Sequence, residues 1–228
     1  AFDLSNACLG FANAMSVVAA QIELGAIEAG LVVAGECGRK LVEETIRGLL
    51  NDPGVTRADL KTAFASLTIG SGAAAMVLAR DDLAPDAPQL ITATARAATE
   101  HHVLCHGDYA GLGMKMRTDS EALMHAGNEL AQRAFRDFLV ESEWRREDVE
   151  RVVTHQVGAA HRKLLLESLG LGLALDYPTV ERLGNIGSVS LPATYSLARE
   201  AGFIRPGQRV TLFGIGSGLH CQMLAIRE

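Results

Sequence analysis

The 228 residues predict a layered α/β fold built as two related halves, each around a mixed sheet. Helical and strand-like patterns alternate along the chain, two glycine-rich motifs recur at long offsets, and the composition is that of a packed globular protein, with 48% hydrophobic and 21% charged residues.

The elements follow in order. The chain opens AFDLSNACLGF, with Cys8 between a strand-like run and a helical pattern. Phe11, Met15, Val18 and Ile22 keep a spacing of three or four until Gly25, which predicts a helix capped by Ser5 or Asn6. Leu31 to Ala34 reads as a buried strand, and TIRGLLNDPGVTRADL, with its Asp-Pro-Gly turn, reads as an excursion. DDLAPDAP is a hinge that divides the chain into 1–88 and 89–228. Beyond it, Val149 to Thr154 is a strand leading to His155, Ala159 to Leu169 is a helix, and Ser188 to Ala201 is a second helix with Pro192 tolerated in its first turn. Val210 to Gly214 and Leu219 to Ile226 form a hairpin around Gly-Ile-Gly-Ser-Gly.

Ile69 to Arg80 and Ile215 to Ile226 both open Ile-Gly-Ser-Gly and match at six of twelve positions, at an offset of 146. GAIEAGLVV at Gly25 and GFIRPGQRV at Gly202 share Gly-x-Ile-x-x-Gly at an offset of 177, which carries Cys8 onto Asn185 in GNIGSVS. The offsets differ by 31, so the first copy holds an insertion within Glu36 to Thr68. The second copy runs about ninety residues before Asn185 and the first only seven before Cys8, so a comparable stretch of fold is expected upstream of Ala1.

A net charge of −6 and scattered arginines give no basic field for nucleic acid. No span of apolar residues is long enough for a membrane helix, since Gln21, Glu23 and Glu28 interrupt the most apolar region. Four distant cysteines without a CxxC suggest neither a disulfide framework nor a zinc ribbon, and fit a reducing cytoplasm.

Two readings of Cys8 stand on the residues alone: a small buried hydrophobe, or a nucleophile whose pKa is lowered by a helix start. His155 follows a strand, where βα loops hold polar site groups, and is otherwise a structural histidine. Asn185, between Gly184 and Gly187, is a turn or cap residue raised to a candidate by its equivalence to Cys8. GIGSGLH departs from GxGxxG and leads into a strand, so a turn presenting a backbone N–H fits better than a phosphate loop. The order Cys8, His155, Asn185 also matches papain-like proteases, without their local cysteine signature. In EHHVLCHGD, His101 with Cys105 and His102 with His106 stand at helical spacing, a metal pattern lacking a completing ligand. No GxSxG elbow or Walker loop occurs, which leaves a thiol as the nucleophile.

SNACLGF, VVTHQVG, GNIGSVS and LFGIGSGLHC, in this order, resemble the thiolase superfamily over the whole chain, specifically ketoacyl synthase III and the OleA type that begins olefin or β-lactone biosynthesis. The resemblance implies a thiolase fold of duplicated halves, with the upstream part of the first half missing from this chain. It implies that Cys8 is acylated by a fatty acyl thioester, with the oxyanion held by the N–H groups of Cys8 and Gly218. His155 and Asn185 would hold the carbonyl of a second thioester for a Claisen condensation.

By the same resemblance the enzyme is a cytoplasmic homodimer that acts on fatty acyl-CoA or acyl-carrier protein, with no metal and no cofactor besides CoA thioester substrates. The missing segment would come from another chain or lie outside this sequence, and would bring a glutamate base across from the partner subunit. A decarboxylating synthase that draws its carbanion from a malonyl thioester, and a non-catalytic thiolase-fold partner subunit, are the alternatives.

Overall fold

The computed structural model describes residues 1–110 and 113–228, with backbone alone at 106, 108–110, 113–115 and 117. The first half runs α1 (Gly10–Glu23), β1 (Ala29–Cys37), α2 (Arg39–Asn51), α3 (Arg57–Leu67) and β2 (Ser71–Ala79). β1 and β2 pair antiparallel, Ala29 opposite Ala79 through Cys37 opposite Ser71. The two helices between them are the expected excursion, and a Thr56–Asp59 capping box starts the second.

The second half begins with β3 (Gln89–Ala97), followed by the hairpin β4 (Cys105–Ala110) and β5 (Gly113–Thr118), the long α4 (Ser120–Glu141), β6 (Arg151–Thr154), α5 (Ala159–Ser168), the short α6 (Val180–Leu183), α7 (Ser190–Glu200), β7 (Arg209–Gly216) and β8 (His220–Arg227). Its sheet has the order β3-β8-β7-β6 and is mixed: β6 lies parallel to β7, and the other pairs are antiparallel. β7 and β8 form the expected hairpin, closing at Gly216 opposite His220.

The offset of 177 aligns the elements of the two stretches along the chain. It carries α1 onto residues 187–200, which are a 3₁₀ turn (Gly187–Val189) continuing into α7. The equivalent strands are β1 with β7 and β2 with β8, and the insertion accounts for the two helices that only the first copy carries.

Apolar faces stack these elements in layers. One face of the four-stranded sheet is covered by α4, whose Leu130, Ala134, Phe135 and Phe138 meet Trp144, Phe213 and Met223. The other face is covered by α7, whose Leu191, Tyr195 and Ala198 meet Val153, Leu212 and Leu224. Phe11, Met15 and Val18 of α1 pack on Val32 of β1. Phe138 is fully buried and makes edge contacts with Trp144 and Phe213 at 5.8 and 6.4 Å between ring centroids. Phe138→Ala is expected to cost about 3–5 kcal/mol, read as a lowered denaturant midpoint with an unchanged slope.

Two expectations are corrected. Neither Ser5 nor Asn6 caps α1: its N-cap is Leu9, which offers no side-chain bond, because the Asn6 amide is drawn instead to the side chain of Asn13. The His101–Cys105 pattern is not helical, since a 3₁₀ turn over Thr99–Leu104 ends at Cys105, where β4 begins. The 3₁₀ turn and the strand point the two side chains along different directions; the side chain of His106 lies outside the described residues. Among the described residues no group of three His, Cys, Asp or Glu is placed to hold a metal.

Candidate active site

Cys8 sits in a tight turn at the mouth of α1. Leu9 N–H donates to the Asn6 carbonyl at 2.9 Å and Gly10 N–H to the Ala7 carbonyl at 3.1 Å, and the turn forces Ala7 to a φ of +43°. A left-handed alanine costs about 1–2 kcal/mol and persists only where its surroundings hold it. A polar chain supplies that hold. Asn6 Nδ2 donates to Asn13 Oδ1, Asn13 Nδ2 to Gln222 Oε1, and Gln222 Nε2 to Ser16 Oγ, each at 2.6 Å. Gln222 belongs to β8, so the second half braces the cysteine turn of the first.

The thiol itself is not activated at rest. Burial pushes the Cys8 pKa up to about 12, Glu36 and Cys105 add to the rise, and only the backbone N–H of Cys8 works against it. This corrects the expected lowering by the helix start: the α1 N-terminus begins two residues later, at Gly10, and loss of water outweighs the backbone dipoles.

His155 follows β6 directly and is 3% exposed. Its backbone N–H donates to the Phe213 carbonyl at 2.7 Å, which extends the β6–β7 pairing by one residue. Burial pushes its imidazole down to about 3, with His161 contributing, and its Nδ1 has no hydrogen-bond partner among the described residues. Buried groups on either side of it fix the strand end. The Asp176 carboxylate accepts from Thr154 N–H at 3.0 Å and is paired with Arg162. Gln156 Oε1 accepts from the N–H groups of Thr179 and Val180 at 3.0 and 3.1 Å, tying the His155 loop to the segment that leads to Asn185.

Asn185 is held by the other half of the molecule. Its N–H donates to the Thr68 carbonyl at 2.9 Å, its carbonyl accepts from Gly70 N–H at 2.8 Å, and its Oδ1 accepts from Gly187 N–H at 3.0 Å. The flanking glycines are required by the backbone. Gly184 has a φ of +68° and a Cβ there would lie 2.6 Å from the Thr68 carbonyl oxygen; Gly187 has a φ of +54° and its Cβ would lie 2.7 Å from Glu36 Oε1. Gly187→Ala is expected to cost about 1–2 kcal/mol from the left-handed backbone, read in thermal unfolding.

Each Ile-Gly-Ser-Gly turn packs on the other copy's helix start. Ile69 and Gly70 pair with Asn185, while Gly216 lies under Asn6 and Leu9, where an added Cβ would be 3.5 Å from the Asn6 carbonyl oxygen. This exchange brings Cys8, His155 and Asn185 onto one cavity of about 1160 Å³, larger than the ~300–1000 Å³ usual for a small ligand. Its walls are mostly apolar, with Phe11, Val18, Phe64, Met116 and Met124 among them. From the glycine turn the cavity is lined by Gly216, Ser217 and Leu219; Gly218 stands behind them, its α-carbon side filled by the His220 ring. Glu36 and His161, which the sequence reading did not single out, also line it, as does Cys105, which the sequence offered only as part of a metal pattern.

Two models of one family match the chain: 3-oxoacyl-[acyl-carrier-protein] synthase III over residues 2–98, and the C-terminal region of the same synthase over residues 139–227. The chain belongs to the ketoacyl synthase III family. Family members similar to it include an acyl-CoA:acyl-CoA alkyltransferase of Shewanella oneidensis, 42% identical over 99% of this chain and 66% of that protein. The alkyltransferase of the same name from Xanthomonas campestris is 38% identical over 99% of this chain and 65% of its own length. A solved structure of Xanthomonas campestris OleA with bound lauric acid and lauroyl-CoA superposes with a TM-score of 0.92 at 38% identity, covering 100% of this chain and 66% of that one. The chain therefore spans just under two thirds of the length of these family members, and its fold is the thiolase fold they share.

The buried His155 and the half-buried His161 set an acid limit on stability. The pKa of His155 is depressed to about 3 and that of His161 to about 4, from 6.5, so between these values the unfolded chain binds protons that the folded one does not. Stability is then full above pH 6.5 and falls as pH is lowered toward 3. A urea series from pH 7 to pH 4 is expected to show a falling midpoint, with the fall blunted in His155→Gln.

Proposed function

We propose that this chain carries the condensing site of an acyltransferase that joins two fatty acyl-CoA molecules head to head. What supports the reading is one apolar cavity lined together by Cys8, His155 and Asn185. The relatives' names and the lauroyl-CoA bound in the Xanthomonas campestris structure point to the same substrate class.

The chemistry runs in two halves. Cys8 attacks the carbonyl of the first acyl-CoA, the C–S bond to CoA breaks, and the thiol proton leaves with CoA as its thiol. Burial disfavours the thiolate that attacks, so the thiol must give up its proton as the C–S bond to the acyl carbon forms, and that proton ends on the departing CoA sulfur. The oxyanion is held by the N–H of Cys8 and by the turn at Gly216–Leu219 that includes Gly218.

The second acyl-CoA then places its thioester carbonyl against His155 and Asn185. A base takes its α-proton, the enolate oxygen is stabilised by these two groups, and the α-carbon attacks the acyl-Cys8 carbonyl. The new C–C bond forms, the bond to Cys8 breaks, and the sulfur recovers the proton. The products are a β-ketoacyl-CoA and one CoA. An imidazole kept neutral by burial stabilises the enolate by hydrogen bonding without itself carrying charge. The base belongs, on this reading, to the partner subunit of a homodimer, and no metal or cofactor takes part. The four free cysteines fit a cytoplasmic setting.

Intact mass after exposure of the full-length protein to lauroyl-CoA tests the first half. One acyl addition that is absent in Cys8→Ala supports the proposal, and no addition to a folded protein overturns it. Malonyl-CoA in place of the second acyl-CoA separates the two condensing chemistries, since release of CO₂ would mark the decarboxylating one.

A further inference from the structure

Glu36, near the end of β1 and lining the cavity, is not used in the chemistry above. A single carboxylate oxygen of Glu36 accepts two hydrogen bonds from Ser188: from its N–H at 3.0 Å and its hydroxyl at 2.6 Å. Ser188 is three residues beyond Asn185 and 9% exposed. Between them Gly187 leaves no room for a side chain on this face, because a Cβ there would reach 2.7 Å from the same oxygen. The residues that bear Asn185 are thus gripped from two sides by the first half: the Thr68–Gly70 backbone on Asn185 itself, and Glu36 on Ser188.

We propose that Glu36 is a positioning residue that fixes Asn185 for the second half-reaction by holding the Gly187–Ser188 turn from across the two halves of the fold. This rests on the assignment of Asn185 to the second thioester. A bidentate grip on one N–H and one hydroxyl fixes the turn's rotation as well as its position, which a donor aimed at a developing oxyanion needs to within about half an ångström. Glu36 also stands close enough to disfavour the thiolate of Cys8, so its loss should not slow the first half-reaction.

The test compares Glu36→Ala with Glu36→Gln in the full-length protein, with single-turnover acylation by lauroyl-CoA and steady-state condensation measured separately. Glu36→Ala is expected to keep or quicken acylation of Cys8 and to lose condensation at least tenfold in kcat. Glu36→Gln, whose amide oxygen accepts the same two bonds, is expected to restore most of that loss. Condensation unchanged in Glu36→Ala, or lost equally in Glu36→Gln, would overturn the proposal. So would acylation and condensation falling in parallel, the mark of general destabilisation.

Amide hydrogen exchange gives a readout that needs no activity. The Ser188 amide should exchange at least tenfold faster in Glu36→Ala, with the β7–β8 hairpin protected as before. Unchanged protection at Ser188 removes the clamp whatever the enzyme does. A wild-type protein that condenses no acyl-CoA, with the exchange result as expected, leaves the clamp standing and removes the condensing assignment instead.

Discussion

Cys8→Ala is expected to abolish the acyl adduct and to lower condensation by ~10⁴-fold or more, the scale seen when the covalent nucleophile of a catalytic unit is removed. The fold should survive. The side chain is small, and the Ala7 turn is held by the Asn6–Asn13–Gln222 chain rather than by the sulfur. Cys105 lines the same cavity at the start of β4 and bonds weakly to Thr118 Oγ1 at 3.6 Å. An adduct that persists in Cys8→Ala and moves to Cys105 would sink the assignment. A protein whose partner keeps full activity after the change would be the scaffold, and peptide cleavage lost with Cys8 would be the mark of the papain-like alternative.

His155→Ala is expected to separate the two half-reactions. Acylation of Cys8 should continue, while condensation falls by ~10²–10³, the loss typical of one preorganised donor to a developing oxyanion. Asn185→Ala should show the same separation, and the double variant should cost less than the product of the two, because both act on one oxygen. Equal loss of both half-reactions in His155→Ala would assign the imidazole to the thiol proton instead. Because its pKa is pushed down to about 3, the wild-type rate of the second half-reaction should show no inflection near pH 6.5 from this residue.

What could be read from the residues was set by local chemistry. The 3.6-residue spacing of Phe11, Met15, Val18 and Ile22 is strong enough to define α1, and α7 follows from it through the duplication. α4 carried a comparable signal at Leu130, Ala134, Phe135 and Phe138, and the sequence reading passed over it because its N-terminal turn, Ser-Glu-Ala-Leu, follows a stretch without periodicity. The β4–β5 hairpin was missed in the same region, where the histidines of EHHVLCHGD suggested a helix. Cys8, His155 and Asn185 were legible as candidates because each stands in a short motif, and the cavity holds all three.

Glu36 and His161 were not legible. Glu36 takes its meaning from Ser188, 152 residues away, and His161 from a fold that closes round its ring and sets it beside the His155 imidazole. The resting state of the thiol was misjudged for a related reason. A helix start can be seen in a pattern, whereas the surroundings that override it, Glu36 and Cys105 among them, come from distant parts of the chain.

The exchange of glycine turns between the two copies has a kinetic corollary. The bonds that shape the site join residues separated by 152, 206 and 209 positions, among the most remote pairings the chain makes. Such contacts form only after the loops between them have closed, which is the slow part of acquiring a topology like this one. Each copy's secondary structure is therefore expected to form before either the cysteine turn or the asparagine turn reaches its working shape. During refolding, the capacity to take an acyl group should lag behind far-ultraviolet circular dichroism, so that the chemistry itself serves as a clock for the last stage of assembly.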